Sequence, residues 1–119
     1  MFTHILKRNG SKESFDRKRI VAAIAKAGKA TGEFRDEEAE KITDHVLEEL
    51  ESKHKKSELT VEHVQDAVER ILMYSKYKQT AKSYILYREQ HAEMRAFATA
   101  ASLDLVDGYL GKLDWQVKE

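Results

Sequence analysis

The chain has 119 residues, 41% of them hydrophobic and 35% charged, and its 21 basic and 21 acidic side chains leave no net charge. That length suits one domain with a real core and is too short for two, while the charge balance argues against a general nucleic-acid binder, which needs a basic excess. The absence of cysteine excludes disulfides, thiolate metal sites and a cysteine nucleophile, and no apolar run reaches signal-peptide or membrane-span length, so a cytoplasmic protein without membrane contact is expected.

In chain order, residues 3 to 8 and 11 to 15 read as short strands around Asn9-Gly10, a pair suited to a tight hairpin turn with positive φ at both central positions. Asp16 suits the N-cap of a first helix to about Lys26, striped by Ile20, Ala23, Ile24 and Ala27. Gly28 then fits the left-handed position that ends helices. Asp36 is expected to cap a second helix to about Ser52, burying Ala39, Ile42, Val46, Leu47 and Leu50, with Asp36, Glu37 and Glu38 complementing the helix dipole. Ser57 to Leu59 reads as a short third strand joining the hairpin.

Thr60 suits the N-cap of a third helix, with Val61, Val64, Ala67, Val68, Ile71 and Leu72 inward. After a break at Tyr74 to Lys76, the longest helix runs from about Tyr77 to Ala101, with Ala81, Tyr84, Ile85, Arg88 and Ala92 along one side. Proline is absent, which favours such long helices. Four amphipathic helices and one hairpin do not build a parallel α/β sheet. The expected fold is α+β and mainly α: a four-helix bundle capped by a small three-stranded sheet. From Leu103 to Trp115 the pattern changes, with two glycines and several large apolar residues. The change suits a fragment cut from a longer protein, or a tail that docks elsewhere.

Charge is unevenly spread. Residues 1 to 20 carry six Lys or Arg against two acids, and residues 33 to 51 carry nine acids against two bases. A local basic site in a neutral protein points to a small anionic ligand rather than a long polyanion. Lys7 and Arg8 suit phosphates, and Glu13 after the turn suits a base amine or a sugar hydroxyl. As neighbours in a strand, Lys7 and Arg8 start on opposite faces, so one of them should reach a pocket directly. Asp16 and Arg17 begin a helix whose first N–H groups lack partners, and Arg19 comes one turn on. Arg88, His91 and Arg95 form either a cationic edge or a solvated face with Glu89 and Glu93. Tyr77 and Tyr84 share a helix face and suit core packing or base stacking.

Catalytic signals are weak. The histidines His4, His45, His54, His63 and His91 show no zinc-binding spacing and read as exposed helix and loop residues. No nucleophile elbow, Walker loop or Gly-x-Gly-x-x-Gly occurs. No catalytic residue and no metal site are assigned.

Lys7-Arg8-Asn9-Gly10-Ser11 with Glu13, Phe15-Asp16 and Arg19-Ile20 resembles the opening of an ATP-cone domain. Thr60 to Glu69 resembles its third helix, and Ala81 to Glu89 its last, so the resemblance covers about residues 2 to 96 and implies a domain at 1–96, with 97–119 a linker and the truncated start of a following domain. The segments Val106 to Leu110 and Asp114 to Glu119 resemble the stretch just after the cone in anaerobic, glycyl-radical (class III) ribonucleoside-triphosphate reductases. The absence of a cysteine zinc ribbon disfavours the cone-containing repressors of reductase genes.

The resemblance implies a nucleotide site drawn from Ile5, Lys7, Arg8, Glu13, Phe15, Asp16, Arg17, Arg19, Ile20, Thr60, Tyr87, Arg88, Gln90 and His91. It implies ATP or dATP as allosteric ligand, with or without Mg2+, ATP activating and dATP inhibiting an attached ribonucleotide reductase. The partners implied are adenine nucleotides, the remainder of the reductase and further copies of the chain, with no nucleic acid. Two departures from the pattern stand out: Gln90 where a basic residue is frequent, and Val64 where some cones have histidine. They favour an alternative, a helical protein-interaction module that has lost nucleotide binding.

Overall fold

The structure is a computed structural model that describes residues 2–54 and 58–101, with side-chain surroundings as far as Phe97. The segment from Leu103 to Trp115, and Ser57 of the expected third strand, lie outside the described residues. The elements are β1 (His4–Leu6), β2 (Lys12–Ser14), α1 (Arg17–Thr31), α2 (Asp36–Lys53), α3 (Val61–Tyr74) and α4 (Lys78–Ala101). Each helix packs on the next, and α4 closes the ring on α1. The short connections make successive helices antiparallel, so the hairpin lies at the end where α1 and α3 begin.

The hairpin is antiparallel, with His4 opposite Ser14, Ile5 opposite Glu13 and Leu6 opposite Lys12. Its turn differs from the expected two-residue form. Gly10 has φ +87°, while no non-glycine residue among those described has positive φ, so Asn9 does not. The Gly10 amide donates to Lys7 O at 3.0 Å and the Lys7 amide to Ser11 O at 2.8 Å. This is a three-residue loop ending in a left-handed glycine. Asn9 contributes through its side chain, whose Oδ1 accepts from the Ser11 amide at 3.0 Å and hydroxyl at 2.7 Å. The expected third strand is replaced by one parallel bridge between Leu6 and Thr60, with the Leu6 amide donating to Leu59 O at 2.8 Å. The described sheet thus has two strands, not three.

Asp16 caps α1 as its position suggests, accepting from the Lys18 amide at 3.0 Å. The helix runs through Gly28 and ends at Gly32, which has φ +77°. Gly28 answers a packing demand instead: a Cβ there would sit 2.3 Å from the Phe34 ring. Phe34 is itself buried and meets Tyr77 edge-on, with ring centroids 4.7 Å apart. Arg35, not Asp36, occupies the N-cap of α2, and makes no side-chain cap hydrogen bond there. Asp36 is the first helical residue.

The start of α4 is tied to the end of α1. Thr80 is fully buried; its amide and hydroxyl donate to Glu33 Oε1 at 2.6 and 2.7 Å. Its hydroxyl also meets that of Thr31 at 2.8 Å. Glu33 so satisfies the Thr80 amide, one of the first-turn donors that a helix leaves without an intrahelical partner. The core runs from Ile5 on the hairpin through Ile20 and Ile24, Val46 and Leu50, Val61, Val68 and Leu72, to Ala81, Tyr84 and Tyr87. On α4 the inward stripe includes Thr80, Tyr87 and His91, whereas the expected Ala92 is exposed. From Ala92 onward most described α4 residues are exposed, because α4 has 24 residues against 14 in α3 and outruns its neighbour.

Candidate functional site

Lys7, Arg8, Glu13, Arg19 and Thr60 converge at the hairpin end of the bundle. Strand β1 stops at Leu6; Lys7 closes the loop and Arg8 is its first residue, so neither belongs to the strand. Both line one cavity of about 230 Å3, with Leu6, Thr60, Val61 and Glu62. The alternation expected of a strand therefore does not separate them. That volume is below the roughly 300–1,000 Å3 of small-molecule sites; it matches part of a nucleotide rather than all of one.

Two ionic groups extend from the cavity's basic residues. Glu13 sits on the same face as buried Ile5. It accepts from Arg19 Nη1 at 3.0 Å and lies 3.9 Å from Lys7 Nζ. Arg8 reaches α3, donating from Nη1 to Glu62 Oε1 at 2.6 Å and from Nη2 to Gln65 Oε1 at 2.7 Å. Loop, strand and two helices thus meet through side-chain charge. Glu62 and Gln65 are not among the residues expected from sequence; their position in the first turns of α3 is the signal that points to them.

Thr60 caps α3. Its hydroxyl accepts from the His63 amide at 3.1 Å, while His63 Nδ1 accepts from the Thr60 amide at 3.1 Å. His63 takes the place that Glu or Gln holds in a capping box, so it is not merely an exposed helix histidine. Its ring stacks on His54, with centroids 4.0 Å apart. Burial, and next the neighbouring His63, lower the pKa of His54. Val64 is buried and borders a narrow internal gap with Ile20, Gln65 and Tyr84.

The other expected residues are spread more widely. Asp16 is engaged as the α1 cap, Phe15 packs on Phe2 with centroids 5.8 Å apart, and Ile20 is core. Arg17 turns to α2, donating to Glu40 at 2.6 Å and Asp44 at 2.7 Å, which raise its pKa. Arg88 turns to α3 and meets Asp66 at 2.9 Å and Glu69 at 3.1 Å. Burial works against the charge on Arg88, but the bond and charge of Asp66 outweigh it and raise the pKa. Tyr87 and His91 are buried, with ring centroids 4.1 Å apart; the exposed His91 expected from sequence is thus corrected, because α4 turns that position toward the interior. Burial likewise pushes the Tyr84 hydroxyl pKa up. Gln90 is exposed.

Among the described residues no group of three or more His, Asp or Glu stands ready to hold a metal ion, and no helix is long and apolar enough to cross a membrane. The arrangement offers two cations and a helix N-terminus at one small cavity, with the half-buried carboxylate of Glu13 beside Lys7. This is chemistry for holding an anion.

The sequence is similar to several ribonucleotide reductases and spans only 10–13% of their length. It is 37% identical over 100 residues to a vitamin B12-dependent ribonucleoside-diphosphate reductase of Thermoplasma acidophilum, which covers 80% of this chain and 13% of that protein. It is 35% identical over 99 residues to a ribonucleoside-diphosphate reductase subunit alpha of Chlamydia pneumoniae, covering 77% of this chain and 10% of the relative. It is 35% identical over 88 residues to an anaerobic ribonucleoside-triphosphate reductase of Salmonella typhimurium, covering 74% of this chain and 12% of the relative. The ATP cone domain profile matches residues 3–93, from the strand before the basic loop to the α4 turn after His91, and the chain belongs to the ATP-cone family.

Proposed function

We propose that this domain is an allosteric adenine-nucleotide sensor within a ribonucleotide reductase, with ATP favouring the active state and dATP an inhibited one. Membership of the ATP-cone family supports the reading. The observation that carries it here is the meeting of Lys7 and Arg8 beside one cavity, with Glu13 and Arg19 next to them. Phosphates would engage Lys7 and Arg8, and Glu13, Arg19 and Thr60 would frame the base and ribose. Tyr87, Arg88, Gln90 and His91 on α4 would supply the other side. Any Mg2+ would arrive on the phosphates.

The domain itself would span residues 1–96, with 97–119 leading into the catalytic part of a cytoplasmic enzyme of the anaerobic triphosphate-reducing type. The two effectors differ by one ribose hydroxyl. They can regulate only through unequal binding to two conformations or assemblies, and a coupling of about 1–3 kcal/mol suffices. Rearranged contacts with the rest of the reductase or with another copy of the chain would provide those two states.

Isothermal calorimetry with ATP and dATP tests the reading, and absence of binding by both at millimolar concentration would reject it. The competing reading, a helical interaction module without a ligand, draws on apolar, buried Val64 and uncharged, exposed Gln90. It requires that removing the charges of Lys7 and Arg8 leave function unchanged.

A further inference from the structure

Arg8 meets two partners of opposite character on α3. Gln65, which accepts from Nη2 at 2.7 Å, is 4% exposed and belongs to the interior between α1, α3 and α4. Glu62, which accepts from Nη1 at 2.6 Å, has a side chain 62% exposed. A buried amide is costly to strip of its hydrogen bond, whereas an exposed carboxylate exchanges the protein for water at little cost. Gln65 is the fixed anchor that aims the guanidinium, and Glu62 is the exchangeable partner.

The carboxylate also lines the cavity together with Lys7 and Arg8. Toward the guanidinium it presents what a phosphate would present: anionic oxygen at charge-assisted hydrogen-bond distance. One position beside Arg8 therefore suits either the protein's own anion or an incoming one.

We propose that Glu62 is a displaceable internal counter-ion, which neutralises Arg8 in the unliganded domain and must be expelled by a polyphosphate ligand. The proposal rests on the nucleotide reading and adds to it a residue that sets affinity and selects for charge. A ligand carrying several phosphate charges competes with the carboxylate, and a nucleoside without phosphate does not. Glu62 acts on the ligand through Arg8, so it is a positioning residue. Its expulsion also removes one tie between the hairpin loop and the first turn of α3.

The test is calorimetry on the 119-residue chain with ATP and with adenosine, comparing wild type, Glu62→Gln and Glu62→Asp. Glu62→Gln is expected to bind ATP about two- to five-fold more tightly, in line with the worth of an exposed ion pair. Adenosine affinity should be unchanged, and Glu62→Asp, which keeps the charge, should stay near wild type. If Glu62→Gln fails to fold by circular dichroism, Glu62→Ala takes its place with the same expectation. ATP binding by the charge-removed variant but not by wild type would also support the proposal.

Equal or weaker ATP binding by the charge-removed variant, or the same gain for adenosine, overturns the counter-ion role and leaves the nucleotide reading intact. Absence of ATP binding by wild type and variant alike overturns both.

Discussion

One carboxylate oxygen of Glu33 receives two hydrogen bonds from Thr80, from the amide at 2.6 Å and the hydroxyl at 2.7 Å. The loop after α1 thereby caps α4, two elements far apart in sequence and at the end of the bundle away from the basic loop. Thr80→Val keeps the shape but removes the hydroxyl that also meets Thr31 at 2.8 Å. Leaving buried polar groups short of a partner costs about 1–3 kcal/mol. Urea denaturation should show a loss of that size, with ATP affinity unchanged because the site is at the other end.

Gly28→Ala should destabilise the domain although alanine is the better helix former by about 1 kcal/mol. The added Cβ would lie 2.3 Å from the Phe34 ring, and Phe34 is held between α1 and Tyr77. Overpacking of this kind costs typically about 1–3 kcal/mol. A rise in thermal midpoint would show that Phe34 yields freely and that the glycine is not required by packing.

Stability should fall in two separate pH windows. His54 has a pKa below the usual value of 6.5, through burial first and the neighbouring His63 second, with Lys53 and Arg70 adding to it and Asp66 opposing. The unfolded chain takes up this proton before the folded one does. The contribution is therefore complete above pH 6.5 and is lost as pH falls through the lower folded value. Glu33, held below 4.5 by its bonds from Thr80, and Glu49, held below 4.5 by Arg70, lose theirs only in stronger acid. Thermal midpoints measured for wild type and His54→Asn should differ in their slope between about pH 7 and 5. They should run parallel in the carboxylate window. Identical slopes throughout would remove His54 from the account.

Alanine at Lys7 or Arg8 should weaken ATP binding by about 10- to 100-fold, the worth of a charge-assisted hydrogen bond. Arg17→Ala should leave affinity near wild type, since Arg17 is engaged by Glu40 and Asp44 on α2. Calorimetry on the three variants decides this. A loss at Arg17 equal to that at Arg8 would mean that the arginine leaves α2 when the ligand arrives.

Local signals are legible in the chain, and long-range ones are not. Asp16 and Thr60 are caps because a short acceptor side chain before an apolar-striped segment serves amides a few residues on, a relation contained within four positions. Gly28 misleads because its reason is Phe34, a tertiary neighbour that imposes smallness without ending the helix. Asn9-Gly10 marks a hairpin correctly, but the loop has three residues and only Gly10 is left-handed, which the dipeptide alone does not display. Of the basic residues, Lys7, Arg8 and Arg19 do gather beside the cavity or Glu13, while Arg17 and Arg88 answer to acids on other helices. The block of acids from residue 33 to 51 contains the partners of Arg17, but only helix packing selects them.

The tie between Arg8 and Glu62 joins positions 54 residues apart, and the Leu6–Thr60 bridge lies beside it. Closing so long a loop is entropically costly until α1, α2 and α3 have already shortened it. The basic loop should therefore be the late-assembling part of the domain, absent from the folding transition state. A nucleotide seated there would leave the refolding rate nearly unchanged and slow the unfolding rate, so that its benefit would appear as a longer lifetime of the folded domain.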